Sequence, residues 1–310
     1  MNKLSLEELI SRVDEIPVFS QTVNRIIQIT EDPKSTAKDL ESEIMKDQGL
    51  TTKILRLANS SYYGVSRNIK SVSEATVLLG FQAIKSMVFA STVGKVMERE
   101  LPGYALEREG LWRQSQMCAI TARTLAKKIK FPKPDQVYTA GLLRDIGKVI
   151  LDTYMKEQFE LIVQEVELHN KTFLEVEAEV LGYNHSEVGA RIADKWNLPQ
   201  DLIEAIACHH NPEQATINPK MTAMIHIADG LMMMMGYNIG IDGLNYKFSD
   251  DTMTLLSIDE SVLTEIMSEV ADLIGDEGIF FWLFVKSWGN PYIDESTKSL
   301  SEKKLRDFFR

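Results

Sequence analysis

The chain is poor in the features that mark secreted, membrane-spanning or nucleic-acid-coating proteins. Its 310 residues contain two cysteines, Cys118 and Cys208. Their spacing suggests neither a redox pair nor a metal knuckle, which argues against a disulfide scaffold and predicts plain apolar roles in a reducing compartment. Basic charge is also short, with 34 Lys plus Arg against 45 Asp plus Glu and a net charge of -11. A chain of that sign lacks the cationic surface that exchanges for counterions along a phosphate backbone, so nucleic acid is not an expected partner. A local basic pocket stays open. Residues 1–15 mix acidic with apolar side chains and contain no signal-peptide core. The longest strongly apolar run, Ile279–Val285, is too short to span a bilayer. These absences predict a soluble, cytoplasmic protein with no membrane partner. No Gly-rich phosphate loop, nucleophile elbow or zinc-knuckle spacing occurs.

Strand-period alternation is nearly missing too, with Tyr246–Phe248 the only and weak candidate. What remains is helical. Ser5-x-x-Glu8, Asn184-x-x-Glu187 and Ser257-x-x-Glu260 resemble capping boxes or close variants ahead of apolar-periodic runs. Ile44, Leu50, Ile54, Leu55, Leu57 and Ala58 recur at helical spacing, as do Ala75, Leu78, Leu79, Phe81, Ile84, Met87 and Val88. Pro102 and Gly103 mark a joint. The expected organisation is a helical block over 1–100, a second over 101–236 holding all five histidines, and a C-terminal helical extension over 237–310. The run Met232–Met235 reads as gap-filling core. Ile279–Val285 is expected to pack back rather than stay wet.

The order of several short motifs adds a resemblance. Ile16-Pro17, Asp32-Pro33, Ile44-Met45-Lys46-Asp47, Leu55-Arg56-Leu57-Ala58-Asn59-Ser60 and Leu78-Leu79-Gly80 lie in the first block. The second continues with Leu111-Trp112, Ala140-Gly141-Leu142-Leu143, Asp145-Ile146-Gly147-Lys148, His185-x-x-x-Gly189, Trp196-x-Leu198-Pro199, His209-His210 and Ala228-Asp229. Over roughly residues 15–235 this set resembles the HDOD domain, an all-helical bacterial signalling module related to HD phosphohydrolases. Gln48 departs from it, since the family usually carries proline after the aspartate. The resemblance implies an all-α, HD-like bundle preceded by an N-terminal helical subdomain. It also implies a role in bacterial signal transduction as an adaptor or sensor, acting through a protein partner or by ligand sensing.

An HD phosphohydrolase binds its metal through an early histidine, a His-Asp pair and a later aspartate. The metal acidifies water and neutralises phosphate. By resemblance the early position here is Gln114, two residues after Trp112, and the pair is Arg144-Asp145. The late aspartate persists as Asp229. A guanidinium never ligates a metal, and an amide oxygen is a poor substitute for imidazole. No metal, cofactor or catalytic residue is therefore expected, and Gln114, Arg144, Asp145, His185, His209, His210 and Asp229 form a vestigial pocket.

The residues leave alternatives open. His185, His209 and His210 match positions that bimetallic relatives use. With Asp145 and Asp229 they could serve a divergent metal-dependent phosphohydrolase acting on a nucleotide or cyclic dinucleotide. Otherwise His185 caps its helix, one of the His pair bonds internally and the other is solvated. Arg144 could pair with the carboxylates, face solvent, or help the histidines hold a phosphate-bearing small ligand. His226, three residues before Asp229, is expected to bond to it. His169, among acidic neighbours, reads as surface. Asn59, Ser60, Tyr62 and Tyr63 read as a helix end whose Asn59 bonds local backbone, or else as a partner surface.

Overall fold

A computed structural model describes residues 5–12, 20–65, 67–155, 158–169, 171–237, 240–243, 247–249 and 251–271. The described chain is all helix, with α1 (Leu6–Arg12), α2 (Gln21–Glu31), α3 (Ala37–Ile44), α4 (Gln48–Ala58), α5 (Val72–Leu79), α6 (Phe81–Met97) and α7 (Gly110–Lys128). There follow α8 (Pro134–Leu143), α9 (Ile146–Met155), α10 (Phe159–His169), α11 (Phe173–Leu181), α12 (His185–Lys195), α13 (Gln200–Cys208), α14 (Pro219–Met234) and α15 (Asp251–Leu256). Residues 260–271 are helical again. The single extended pairing among the described residues is an isolated bridge between Leu101 and Leu106, at the expected joint. No strand forms at 247–248. Tyr246, Ile16-Pro17 and Ile279–Val285 lie outside the described residues. Among those described, no helix is long and apolar enough to cross a membrane.

Local chemistry sets the helix ends. Ser5 with Glu8 and Asn184 with Glu187 exchange reciprocal side-chain-to-backbone bonds, so each satisfies two otherwise orphaned N–H groups. Ser257 does not cap a helix in this way. It takes a left-handed φ of 54° after α15, and the Asp259 carboxylate accepts from the backbone of Ser261 and Val262 instead. The apolar run through Ala75–Val88 is broken at Gly80, whose φ of 88° suits glycine and separates α5 from α6.

The described residues divide into two compact units, one from 20–91 with 263–271 and the other from 5–12 with 92–262. In the first, α2–α5 and the start of α6 enclose Ile26, Leu40, Ile44, Ile54, Val72, Ala75 and Ile84. Asn59 ends α4 and pins the next loop by donating to Leu55 O and Ile69 O while accepting from Ile69 N. That is the local-backbone role expected of it. The second unit is built around α7 and α14, both buried on nearly every side. A helix that is apolar all round belongs at the centre of a bundle. The methionine run divides, with Met232 fully buried and Met234 49% exposed.

Two glycines let helices meet closely enough to build a site in this unit. A Cβ on Gly141 would lie 3.0 Å from Ala119 Cα, so α8 rests on the backbone of α7. A Cβ on Gly147 would lie 2.0 Å from His185 O, so the first turn of α9 touches the first turn of α12.

Candidate metal centre

Arg144 and Asp145 occupy a two-residue break between α8 and α9 rather than one continuous helix. A helical projection through 142–150 therefore misplaces both side chains. The turn sends them into the same interior, with Arg144 0% and Asp145 1% exposed. Arg144 Nε donates to Asp229 Oδ1 at 2.8 Å, and Nη1 donates to Gly141 O at 3.2 Å. Nη2 lies 2.7 Å from Asp229 Oδ1 and 3.1 Å from Asp145 Oδ2, as ion-pair contacts rather than aligned hydrogen bonds. Lys148, also buried, brings Nζ to 2.9 Å from Asp145 Oδ2 and sits 5.7 Å over the ring of Tyr104. Burial opposes the charge on Asp145, but Arg144 and then Lys148 outweigh it and hold its carboxyl well below the usual range. Burial likewise opposes the charge on Arg144, and Asp145 and Asp229 more than restore it.

The other carboxylate oxygen faces the histidines. His185 opens α12, His209 follows α13, and His210 comes next. His185 Nε2 and His209 Nε2 each lie 3.5 Å from Asp145 Oδ1, and His185 Nε2 is 3.0 Å from His210 Nε2. One donor atom from each of these four residues falls within 4.8 Å of all the others. The histidines converge on Asp145 while His209 also makes the internal bond expected of one of the pair, its Nδ1 donating to Ile206 O at 2.8 Å; the α9–α12 contact accounts for the place of His185. Asp229 does not join the group, because its Oδ1 is engaged by Arg144.

Beyond these ligand-type residues, the orientation of His185 depends on a carboxylate that sequence reading missed. Glu177 of α11 is fully buried, and its Oε2 accepts from His185 N at 2.8 Å and contacts His185 Nδ1 at 2.7 Å. The Tyr104 hydroxyl donates to Glu177 Oε1. Nothing in the pattern of α11 distinguishes Glu177 from the exposed Glu179. Lys148 had one available signal, its position one turn after Asp145.

The remaining candidates are dispersed. Gln114 is fully buried on α7, and neither of its amide atoms has a hydrogen-bond partner among the described residues. Cys118, one turn further along α7, is close enough to Arg144 and the aspartates to sense their charge, and burial pushes its thiol up. His226 does not bond to Asp229. Its Nδ1 donates to His209 O at 2.7 Å and its Nε2 accepts from Ser249 N at 3.0 Å, so the ring braces the His209 turn. His169 is exposed beside Glu165, as its neighbours suggested.

Burial lowers the affinity of His210 and His226 for protons below the ordinary value of 6.5. As pH falls through about 6.5, the unfolded chain protonates these histidines more fully than the folded chain does. Stability of the metal-free protein should therefore fall on acidification from pH 7.5 to 5.5, by up to about 1.4 kcal/mol per pH unit for each histidine. Denaturant midpoints measured across that range with chelator present check this; a flat profile would contradict it.

The HDOD domain model matches residues 16–212 of the chain. A protein of Treponema pallidum (strain Nichols) is 27% identical over 205 residues, which span 64% of this chain and 38% of that protein. This chain thus corresponds to well under half of that relative's length. An HDOD domain protein of unknown function from Geobacter sulfurreducens superposes with a TM-score of 0.67 at 27% identity, over 86% of this chain and 96% of that one. A candidate signal transduction protein from Marinobacter aquaeolei VT8 gives a TM-score of 0.70 at 20% identity, over 92% and 62% respectively. The latter likeness shows the fold alone.

Proposed function

The chain belongs to the HDOD domain family, and on that premise we propose that it is a signalling module that acts by protein contact without hydrolysing phosphoesters. The Arg144 guanidinium carries this reading. It lies fully buried against both Asp145 and Asp229, with Lys148 beside it. A metal-dependent hydrolase uses its ion to acidify a water and to neutralise phosphate, and keeps a coordination position open for that purpose. A guanidinium can neutralise carboxylates, but it can neither ligate an ion nor acidify a water. One carboxylate oxygen, Asp145 Oδ1, is left facing three imidazoles. An ion held there would draw four protein donors and leave a tetrahedral shell with no place for substrate water. Membership of a family of output domains supports protein contact as the means of signalling.

The full-length protein, supplied with Mn2+, Fe2+ or Zn2+, is expected to turn over cyclic dinucleotides, nucleoside triphosphates and p-nitrophenyl phosphate no faster than buffer alone. Metal-stimulated product release that disappears in Asp145→Asn would overturn the reading.

A further inference from the structure

We infer that Asp145, His185, His209 and His210 bind one transition-metal ion in a closed site, with Glu177 as the residue that positions His185. This goes beyond the signalling role and does not depend on whether the protein hydrolyses anything. Distances come first. A tetrahedral shell with bonds of about 2.0–2.1 Å places its donors about 3.3–3.4 Å apart. Here His185 Nε2 and His209 Nε2 each stand 3.5 Å from Asp145 Oδ1, and the Nε2 atoms of His185 and His210 are 3.0 Å apart. These three separations lie on either side of the required value, and all four donors fall within 4.8 Å of one another before any ion draws them together.

Proton placement points the same way. His209 Nδ1 lies 2.8 Å from the Ile206 carbonyl, which only accepts, so Nδ1 carries the hydrogen. His185 Nδ1 lies 2.7 Å from the Glu177 carboxylate and must likewise be N–H. In the neutral rings both Nε2 atoms then present lone pairs toward a carboxylate oxygen. Lone pairs so aimed repel unless a proton or a metal ion stands between them, and an ion held there would displace the proton that His185 Nε2 and His210 Nε2 share at 3.0 Å. His209 Nε2 and Asp145 Oδ1 accordingly have no hydrogen-bond partner among the described residues, although both are buried. An imidazole held by a carboxylate through its other nitrogen is also how proteins orient a ligating histidine. Glu177 does this for His185, and its own second oxygen is held by Tyr104.

The donor chemistry narrows the ion. Three imidazoles and one carboxylate suit Zn2+, Co2+, Ni2+ or Fe2+, and are too nitrogen-rich for Mg2+ or Ca2+. Arg144 and Lys148 both sit on Oδ2, which leaves Asp145 one oxygen to offer. Four protein donors in a buried setting make a site that stabilises or reports metal supply rather than one that exchanges substrate.

The test uses full-length protein purified without chelator or metal-affinity resin. Elemental analysis is expected to find one equivalent of a transition metal, or uptake of one equivalent of added Zn2+. Co2+ should produce the intense visible bands of a tetrahedral complex at the same stoichiometry. His209→Ala should abolish both; His210→Ala, at the half-buried edge of the set, serves where His209→Ala does not fold, as judged by circular dichroism. Glu177→Gln keeps an acceptor for the His185 ring and should fold, yet weaken affinity by about 10–100-fold. Failure of the folded wild-type protein to take up metal would overturn the inference. So would an equivalent that survives loss of either histidine. Uptake together with hydrolysis would overturn the signalling reading while leaving the site standing.

Discussion

Arg144→Met is expected to destabilise the protein by about 3–5 kcal/mol, the usual consequence of removing one member of a buried charge pair. The substitution keeps much of the volume but leaves the buried Asp229 carboxylate without the guanidinium that contacts its Oδ1 twice, at 2.7 and 2.8 Å. Asp145 suffers less, because Lys148 remains 2.9 Å from its Oδ2. The cost is therefore assigned chiefly to Asp229, and that assignment is separately testable. Asp229→Leu added to Arg144→Met removes the stranded charge and should recover much of the loss, since apolar replacement of a whole buried pair is often close to neutral. Denaturant midpoints for the two single variants and the double variant give the coupling between the positions. A loss below about 1 kcal/mol in Arg144→Met would show that the guanidinium does not hold this centre together.

Gly147→Ala should be comparably severe for a steric reason. The added Cβ would fall 2.0 Å from His185 O, 2.7 Å from Gly189 N and 2.9 Å from His185 C. All three obstacles are backbone, so no rotamer change relieves them, and α9 must move away from α12. Overpacking usually costs about 1–3 kcal/mol where side chains can shift, so a value of about 3 kcal/mol or more is expected here. Gly189→Ala supplies the contrast. Its new Cβ would meet the Ile206 Cγ2 at 3.0 Å and Gly147 N at 3.4 Å, and the nearer obstacle is a side chain that can yield. A cost near 1 kcal/mol is expected there. Equal midpoints for the two variants would contradict the close α9–α12 contact. Because that contact sets His185 against Asp145, Gly147→Ala should also lower the uptake of Co2+.

These two positions show how differently the residues could be read. Gly147 stood in a motif, yet its reason, a carbonyl from a remote helix pressed against its α-carbon, lies in no local pattern. Arg144 was visible, by resemblance, at the position where HD phosphohydrolases carry histidine, but a projection that assumed one continuous helix through 142–150 could not orient it. The break at 144–145 turns both side chains inward together. Glu177 was not legible at all. Its neighbours in α11 include exposed glutamates of the same type, and only the approach of His185 N and Nδ1 to its Oε2 distinguishes it.

Read alone, the sequence determined the fold class, the family resemblance and the chemical alphabet of the site. Helix-period apolar residues, capping boxes and a near absence of strand alternation are local properties, and local physics decides them. The same holds for the side chains at positions 114 and 144, since an amide or a guanidinium stays what it is wherever it points. Tertiary structure alone decided which groups meet. Asp145, His185 and the adjacent pair His209 and His210 come from three places along the chain, and their donor atoms gather within 4.8 Å. Helix crossings set that convergence, and those crossings depend on whether a Cβ is present at Gly141 and Gly147. Periodicity tells a side chain which face of its helix to occupy. The distance to a partner on another helix is fixed by close packing in the interior, where about one methyl group decides whether two helices touch.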